Sequence, residues 1–462
     1  MSINSFLQRA FVFHREGRLD LAETYYLEVI KVAPEHWSAR FGLAQVLIRM
    51  NRFDAAIGWL TPLLSDTVDR AAVHRELGLA QARAGRQRIA LDHFLQILAD
   101  NPDDADALHI VANFQQHLGM YEEADMHYRR ALKLQALVNV PAVVSPPDFR
   151  ALFVFAPGMG NTPFTYLVDD ARFESNVISL LPDFDYDIEE LRSHADVVVN
   201  LVADVDQGRT LLAPADTLVG RIGKPVVNHP GKIAGTGRES IARRLADTPG
   251  CRVPQTRLLA AAELRAMPAD AAQASLSFPL LIRPAGTHGG NDFEKMEGNA
   301  QVSAFVERHG DHDYYLTPFV DYCSADGYFR KYRFFYVDGE VLPYHLAIDQ
   351  QWKVHHATTG MANHPWMQAE EQAFLENPWN VFGPAQYAAL RLICDTIGLD
   401  YFGIDCGLDG DGAIVVFEVN ACMLLHGDNA RFPYKTEAVE RIKLAFHAML
   451  ESRALHPSGP VG

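Results

Sequence analysis

The first third of the chain repeats one pattern of small and large apolar residues every 34 positions. Alanines recur at this interval, and a large apolar side chain follows each of them four residues later. The two sets are Ala22, Ala56, Ala90 and Ala124, and Tyr26, Leu60, Phe94 and Tyr128. Residues four apart share one face of a helix, and a small residue there lets a neighbouring helix approach closely. The pattern therefore predicts pairs of helices that stack, because one hairpin cannot bury its apolar face alone.

This spacing resembles the tetratricopeptide repeat, with four copies in an all-α solenoid domain at residues 1–138. Glycine or asparagine stands where each helix pair would turn, at Gly17, Asn51, Gly85 and Gly119. The tryptophan usually found early in such a repeat is replaced by Phe6, Arg40, His74 and Leu108. The resemblance implies a concave groove for a peptide or protein partner, with a passive dimerisation or spacer role as the alternative.

The periodicity changes after Leu137. Three prolines between 141 and 147 predict an extended linker. Apolar runs at 151–155, 177–180, 196–201 and 225–228 alternate with helical spacing, which predicts a small parallel α/β domain at 149–230. A third domain, of α+β type, is predicted at 231–450. Its β-branched and aromatic runs lie at 278–283, 314–319, 328–337, 341–348, 401–408 and 413–420.

Charge and composition exclude some classes of partner and indicate a cellular compartment. The formal net charge of −17 argues against a nucleic-acid backbone or an anionic membrane as the main partner. It leaves room for an anionic small ligand held by a local group of cations. The five cysteines stand singly, so neither a disulfide framework nor a zinc ribbon is indicated. No leader-like N-terminus and no apolar stretch of membrane-spanning length is present, and we therefore expect a cytoplasmic protein.

A predicted hairpin near the C-terminus carries the strongest chemical signal. Asp405 lies in one apolar run, the Asp-Gly-rich segment 409–412 predicts a turn, and Glu418 and Asn420 lie in the following run. Glu418 and Asn420 are two apart and point to the same face of a strand. Carboxylate and amide oxygens are ligands that Mg²⁺ prefers, with substrate phosphates completing its octahedron. Asp405, Glu418 and Asn420 are therefore predicted metal ligands, with a solvent-facing polar edge as the alternative.

Glu-Val-Asn at 418–420, after a strand that contains an aspartate, resembles the metal-binding signature of the ATP-grasp superfamily of carboxylate–amine ligases. Further pieces follow in that family's order. They are Asn-His-Pro-Gly-Lys-Ile at 228–233, Phe-Pro-Leu-Leu-Ile-Arg-Pro-Ala-Gly-Thr-His-Gly-Gly at 278–290, Tyr-Leu-Thr-Pro-Phe-Val-Asp-Tyr at 315–322, and the run from 328 to 340. The resemblance implies an α/β pre-ATP-grasp domain followed by an ATP-grasp fold, with ATP and Mg²⁺ as cofactors.

The same resemblance implies which residues bind the nucleotide. Arg238, Arg283 and a glycine-rich lid would contact phosphate, and a hinge segment would bind adenine and ribose. The predicted cofactor-binding residues are Arg238, Arg283, Gly286, Thr287, His288, Gly289, Gly290, Thr317, Phe319, Val320 and Asp321. The family usually has lysine where Arg238 and Arg283 stand. Arginine keeps the charge and can bind phosphate bidentately, but it does not replace lysine neutrally.

The implied reaction is the transfer of the γ-phosphate of ATP to a carboxylate, followed by attack of an amine on the acyl phosphate. Arg333, Lys353 and His355 are the predicted catalytic residues, and His345 and His356 are further candidates in the segment that would face the acceptor. The substrate would be a peptide or protein presented by the repeats. The alternatives are a phosphotransferase or small-molecule ligase whose repeats serve assembly, and a non-catalytic scaffold that binds nucleotide or nothing.

Overall fold

A computed structural model describes residues 2–65, 68–158, 160–266, 277–287, 290, 292–355, 359–427 and 429–456. The chain divides into two compact units, residues 1–137 and residues 138–462. In the described ranges, no helix is both long enough and apolar enough to cross a membrane.

The first unit consists of helices that pair as hairpins along the chain. They are α1 (Ile3–Arg15), α2 (Leu19–Val32), α3 (Trp37–Arg49), α4 (Phe53–Leu60), α5 (Arg70–Arg83), α6 (Gln87–Asp100), α7 (Ala105–His117) and α8 (Tyr121–Leu134), with a 3-10 turn at Thr61–Ser65. The recurring alanines and the large apolar residues that follow them are almost fully buried. Gly17, Gly85 and Gly119 have positive φ angles at the turns within three hairpins, and Asn51 takes this role in the second. The prediction of stacked helical repeats is confirmed.

Two glycines let large rings of the repeats pack closely against a neighbouring helix. A Cβ atom added at Gly42 would lie 2.5 Å from the ring of Tyr26, and one at Gly78 would lie 2.4 Å from the ring of Phe94. Both rings are fully buried. No side chain larger than hydrogen fits at these two positions without displacing a ring.

We expect Gly78→Ala to lower the free energy of unfolding of the repeat unit by about 1–3 kcal/mol, the usual cost of overpacking a core. Gly58→Ala is the matched control, because Gly58 also lies inside a helix but its added Cβ would have no neighbour within 4 Å. The control is expected to retain stability or gain up to about 1 kcal/mol from helix propensity. Urea unfolding followed by circular dichroism measures both, and equal effects would show that Phe94 is not tightly packed.

The second unit begins with a mostly parallel sheet flanked by helices. Its strands are β1 (Val138–Val140), β2 (Arg150–Phe155), β3 (Glu174–Ser179), β4 (Val197–Asn200) and β5 (Val226–Val227), in the order β1-β3-β2-β4-β5. The helices are α9 (Thr165–Val168), α10 (Ile188–Ser193), α11 (Arg209–Ile222), α12 (Pro230–Ile233) and α13 (Arg238–Leu245), with a 3-10 turn at Ala234–Thr236.

The start of the predicted linker is part of this sheet. β1 pairs antiparallel with β3, with Val138 opposite Val177. The prolines that predicted an extended segment lie after this strand. The backbone N–H and C=O groups of Val138–Val140 are therefore available to form hydrogen bonds with the edge of β3. The chain is therefore extended here, as predicted, but it is bonded to the α/β sheet.

Two mostly antiparallel sheets follow, so the second unit is a mixed α/β region. The first contains β7 (Arg257–Ala260), β8 (Leu280–Pro284), β9 (Glu294–Met296) and β10 (Asp313–Pro318), in the order β7-β10-β8-β9. The second contains β6 (Cys251–Arg252), β11 (Phe329–Val337), β12 (Glu340–Asp349), β13 (Tyr401–Leu408) and β14 (Ile414–Asn420), in the order β12-β11-β13-β14-β6. β6 pairs parallel with β14.

Helices and short turns complete this region. The helices are α14 (Ala261–Arg265), α15 (Asn299–His309), α16 (Pro365–Glu376), α17 (Pro384–Ile397) and α18 (Thr436–Leu455), and the 3-10 turns are Met361–Asn363, Pro378–Asn380 and Pro433–Lys435. Phe446 of α18 lies in one core with Phe153 of β2 and Phe335 of β11, so this helix joins the parallel sheet to the last antiparallel sheet. The sheet of β7 to β10 has its own core, which includes Phe305 and Tyr314.

Asn228 fixes β13, the first strand of the hairpin that carries Asp405 and Glu418, to the parallel sheet. Its side chain is buried, its Oδ1 accepts hydrogen bonds from the backbone N–H groups of Asp400 and Tyr401 (both 3.0 Å), and its Nδ2 donates to the carbonyl of Tyr401 (2.6 Å). Asn228 has a φ of 55°, a left-handed backbone conformation that asparagine tolerates. The start of β13 is therefore positioned by a side chain 172 residues earlier in the chain.

Candidate functional site

A cavity of about 270 Å³ is lined by both antiparallel sheets of the second unit. β8 and β10 contribute residues from one side, and β11, β13 and β14 contribute residues from the other. The cations of its wall outnumber the carboxylates; they are Arg238, Arg283, Lys331, Arg333 and Lys353, against Asp405 and Glu418. In a chain of net charge −17, this local excess of positive charge favours an anionic ligand.

A row of polar side chains crosses the sheet that forms one wall. Glu418 of β14 lies opposite Asp405 of β13, Asp405 lies opposite Arg333 of β11, and Arg333 lies opposite His345 of β12. Directly opposed residues on neighbouring strands point to the same face. The strand register shifts immediately after Asp405 and immediately after Arg333. Such bulges reorient side chains next to functional sites, and here they flank the two central members of the row.

Asp405 and Arg333 form the most buried charge pair of this row. The guanidinium donates from Nε to Oδ1 (2.6 Å) and from Nη2 to Oδ2 (2.8 Å), and Lys331 lies 3.3 Å from Oδ2. Asp405 is 3% exposed. Burial alone would raise the pKa of Asp405, but the charges of Arg333 and Lys331 hold it well below its ordinary value. The carboxylate is therefore anionic at neutral pH and surrounded by cations.

The other two predicted metal ligands lie on β14. Glu418 accepts a hydrogen bond from Nη2 of Arg238 (2.5 Å), and Oδ1 of Asn420 accepts one from the backbone of Cys422 (2.7 Å). All three predicted ligands line the same cavity. Throughout the described ranges, no group of three or more His, Cys, Asp and Glu side chains could hold a metal ion. Two carboxylates and an amide suit Mg²⁺ that shares its coordination with water and substrate phosphates, rather than a metal held by protein alone.

Arg283 is a buried cation with neutral partners. Its guanidinium contacts the hydroxyl and the carbonyl of Thr287 and lies 5.6 Å from the ring of Phe293. Burial, followed by repulsion from Arg238, lowers the pKa of Arg283 to about 10. It stays protonated at neutral pH. An anionic ligand would offset both the desolvation cost of this buried charge and its repulsion from Arg238. Of the predicted glycine-rich segment, Gly290 lines the cavity. His288 and Gly289 lie outside the described residues.

The turn at Gly286 is bonded to a loop that follows β4. The backbone N–H of Gly286 donates to Oδ2 of Asp206 (3.3 Å), and Gln207 donates to the carbonyl of Gly286 (3.1 Å). Oδ1 of Asp206 accepts a hydrogen bond from the hydroxyl of Tyr315, which is 2.8 Å away. Sequence reasoning did not identify Asp206, Gln207 or Tyr315 as site residues. Tertiary folding alone brings the loop after β4 to a turn 80 residues later.

The predicted adenine segment forms an apolar end of the cavity. Thr317, Phe319 and Val320 line it together with Trp352 and Phe417. Such a mostly apolar slot with a few polar groups is typical of a site for a planar ring. Asp321 is placed differently, because its carboxylate accepts a hydrogen bond from the backbone of Cys323 (2.9 Å) in an exposed turn. Gly286 and Thr287 do not line the cavity; Gly286 contacts Asp206, and Thr287 contacts Arg283.

Lys353 and His355 lie at the cavity near Arg333. Nζ of Lys353 donates to the carbonyl of Phe293 (2.9 Å). Burial, then the charges of Lys331 and Arg333, lower the pKa of His355, so its imidazole is neutral at pH 7. His356 lies outside the described residues. Lys331 was not predicted as a site residue, although it is two residues before Arg333 and the period of a strand places both on one face.

Beyond Arg333, the polar row ends in a buried network around Glu371 of α16. This carboxylate contacts Nδ1 of His345, accepts a hydrogen bond from the hydroxyl of Tyr434 (2.7 Å), and lies 3.2 Å from Nζ of Lys435. Glu371 is 1% exposed. Burial opposes its ionisation, but the bond from His345 and the charge of Lys435 lower the pKa of Glu371 to about 2. The middle of β12 is thus held by a buried charged network.

Comparisons with known proteins identify the first unit. Two models of the tetratricopeptide repeat match residues 13–80 and 105–136, so the N-terminal region carries these repeats. No curated protein matches the chain.

Solved structures similar to the chain include a fragment of MamA from Desulfovibrio magneticus RS-1, at 16% identity and a TM-score of 0.28, covering 29% of this chain and 76% of that one. Another is a tetratricopeptide repeat protein from Parabacteroides merdae, at 18% identity and a TM-score of 0.28, covering 29% of this chain and 53% of that one.

Proposed function

We propose that the chain is an ATP-grasp enzyme, an ATP-dependent carboxylate–amine ligase that acts through an acyl phosphate. The observation that carries the proposal is the cavity between the antiparallel sheets, in which five cations and two carboxylates lie beside an apolar slot. A nucleoside triphosphate has the matching chemistry, with a planar base at one end and a polyanion at the other. The order of the motifs along the chain supports the same proposal.

The wall of the cavity offers suitable ligands for Mg²⁺ bound together with a nucleotide. Asp405, Glu418 and Asn420 would hold the ion, which would neutralise charge on the β- and γ-phosphates when bound. These carboxylates are now paired with Arg333, Lys331 and Arg238. On binding, the phosphates would pair with those cations and Mg²⁺ would pair with the carboxylates. No buried charge would therefore be left unpaired.

The chemical steps require positioning and charge neutralisation. A carboxylate oxygen of the first substrate attacks the γ-phosphorus, the bond to the β-phosphate oxygen breaks, and ADP leaves with that electron pair. Arg283, Arg333 and Arg238 neutralise charge on the transferred group. A neutral amine then attacks the acyl carbon, and phosphate leaves as the amide forms. His355, neutral at pH 7 and lining the cavity, accepts the proton lost by the amine.

The repeats favour a peptide or protein as one substrate. Tetratricopeptide repeats commonly mediate protein–protein interactions, and they occupy residues 13–136 of this chain. We therefore propose that the first unit recruits a polypeptide that either carries the reacting carboxylate or amine or delivers the molecule that does.

We expect the purified chain to release ADP from Mg-ATP only when both a carboxylate and an amine are supplied. Pools of amino acids, short peptides and dicarboxylic acids, offered separately and in pairs, would be tested with a coupled ADP assay. ADP release that needs both partners supports ligation. Phosphate retained on a single acceptor would instead establish a phosphotransferase. No release from a folded protein under any pairing would favour a non-catalytic nucleotide-binding scaffold.

A further inference from the structure

The 34-residue period of the first unit extends to a line of basic residues on its surface. Arg15, Arg49, Arg83 and His117 are each 34 residues apart, and they lie in the last turns of α1, α3, α5 and α7. All four are exposed. Equivalent positions in stacked repeats lie side by side, so these residues form one continuous line along the first helices of the hairpins. We term this line the cation ladder, and its formal charge at pH 7 comes from the three arginines.

Uncharged side chains run beside the cation ladder, one helical turn earlier. They are Phe11, Gln45, Leu79 and Asn113, each four residues before a ladder residue and therefore on the same face of its helix. Phe11 is 49% exposed and Leu79 is 37% exposed. A depression of about 420 Å³ includes the first two residues of the cation ladder. It is lined by Phe11, Val12, His14, Arg15 and Arg49.

Helix capping accounts for only part of this pattern. A cation near a helix C-terminus interacts favourably with the helix dipole, and Arg49 also donates to the carbonyl of His14 at the end of α1 (2.8 Å). Among the second helices of the hairpins, however, only α2 and α8 have a basic residue in the last turn, and α4 and α6 have none. Within the described part of the chain, Arg15 and Arg83 form no ion pair. Capping also gives no reason for exposed apolar residues beside the cations.

We propose that the cation ladder and its neighbouring side chains bind an extended acidic peptide that carries apolar residues. Carboxylates of the peptide pair with the ladder, while Phe11 and Leu79 contact its apolar side chains. Glu76, which lies on the same face of α5 as Arg83, is occupied by a hydrogen bond from Gln45 (2.7 Å). The apolar and amide positions, in a chain of net charge −17, suit a polypeptide better than a continuous phosphate backbone.

The test is fluorescence anisotropy of a labelled twelve-residue peptide of alternating glutamate and leucine, titrated with the full chain. We expect the double variant Arg15→Ala/Arg83→Ala to bind about tenfold more weakly than the wild type, with binding that also weakens as salt is raised. Arg49 is left intact because it caps α1. The matched control is Arg70→Ala/Arg88→Ala, which removes two exposed cations from other positions of α5 and α6.

The proposal is independent of the cavity, so it is tested without nucleotide and its outcome does not depend on any ligase activity. It is overturned if the wild type fails to bind the peptide at millimolar concentration, if both double variants bind equally, or if a lysine–leucine peptide binds as tightly. An oligonucleotide of equal charge that binds more tightly and depends on Arg15 and Arg83 would assign the surface to nucleic acid instead.

Discussion

Replacing Glu418 by alanine is expected to remove the stabilisation that Mg-ATP gives to the wild-type chain, together with any ADP release. Glu418 supplies one of two carboxylates on the cavity wall, and Arg238 is its partner. Without it, Mg²⁺ loses an anionic ligand, and Arg238 adds an unpaired positive charge beside the site. At a ligand concentration one hundred times the dissociation constant, binding stabilises a protein by about 2.7 kcal/mol. Thermal unfolding with and without Mg-ATP measures the change.

The matched control for this experiment is Asp411→Ala. Asp411 lies at the turn of the same hairpin, its side chain is 85% exposed, and it pairs with Arg252 at the surface. It is expected to keep the full response to Mg-ATP. Glu418→Gln preserves the shape and hydrogen bonding of the side chain if the alanine variant proves unstable. A normal response in Glu418→Ala would refute the assignment of this residue to the metal, and no response in the wild type would refute the nucleotide site.

Glu371→Gln is expected to cost about 3 kcal/mol of folding free energy at pH 7, because it leaves Lys435 buried without its carboxylate. Tyr434→Phe is the comparison variant. It removes one hydrogen bond to the same carboxylate and is expected to cost about 1 kcal/mol. Urea unfolding of both variants, followed by tryptophan fluorescence, provides the two values. Similar small losses in both would show that the charge of Glu371 does not stabilise the fold.

The stabilisation lost in Glu371→Gln is expected to depend on pH, and the lowered pKa of Glu371 determines the direction. The pKa of Glu371 is about 2 in the folded chain against an ordinary value of 4.5, so its contribution is present above pH 4.5 and is lost as the pH falls through 2. A depression of this size corresponds to about 3 kcal/mol. The difference in stability between the wild type and Glu371→Gln should therefore shrink between pH 5 and pH 2. A constant difference over this range would contradict the network.

The features that sequence predicted well are those with local or periodic causes. The repeats follow from a small residue and a large residue at fixed positions of a helix, and this pattern recurs within each copy. The hairpin of β13 and β14 follows from alternating apolar runs around an Asp-Gly turn, which places Asp405 opposite Glu418. The prediction of a helical region followed by a mixed α/β region is confirmed, while the ATP-grasp assignment and the three domain boundaries stay predictions.

Residues brought in from distant segments were not predictable in this way. Asp206 contacts Gly286 and Tyr315 only because the parallel sheet packs beside the antiparallel sheets, and its own surroundings in the sequence carry no chemical motif. Glu371 lies in α16 without any recognisable motif around it. Its partners His345, Tyr434 and Lys435 come from distant segments and meet it only in the folded chain. Lys331 could have been found, because its two-residue spacing from Arg333 is visible in the sequence.

Trp352 gives the cavity an optical reporter of its own. The indole lies between two aromatic rings, 5.5 Å from the centroid of Phe293 and 5.7 Å from that of Phe319, on the cavity wall. A base that enters the apolar slot would exclude water from this fluorophore and change its emission. The difference between the spectra of the wild type and of Trp352→Phe isolates that signal from the other four tryptophans. Occupancy of the slot can therefore be followed in real time without a label.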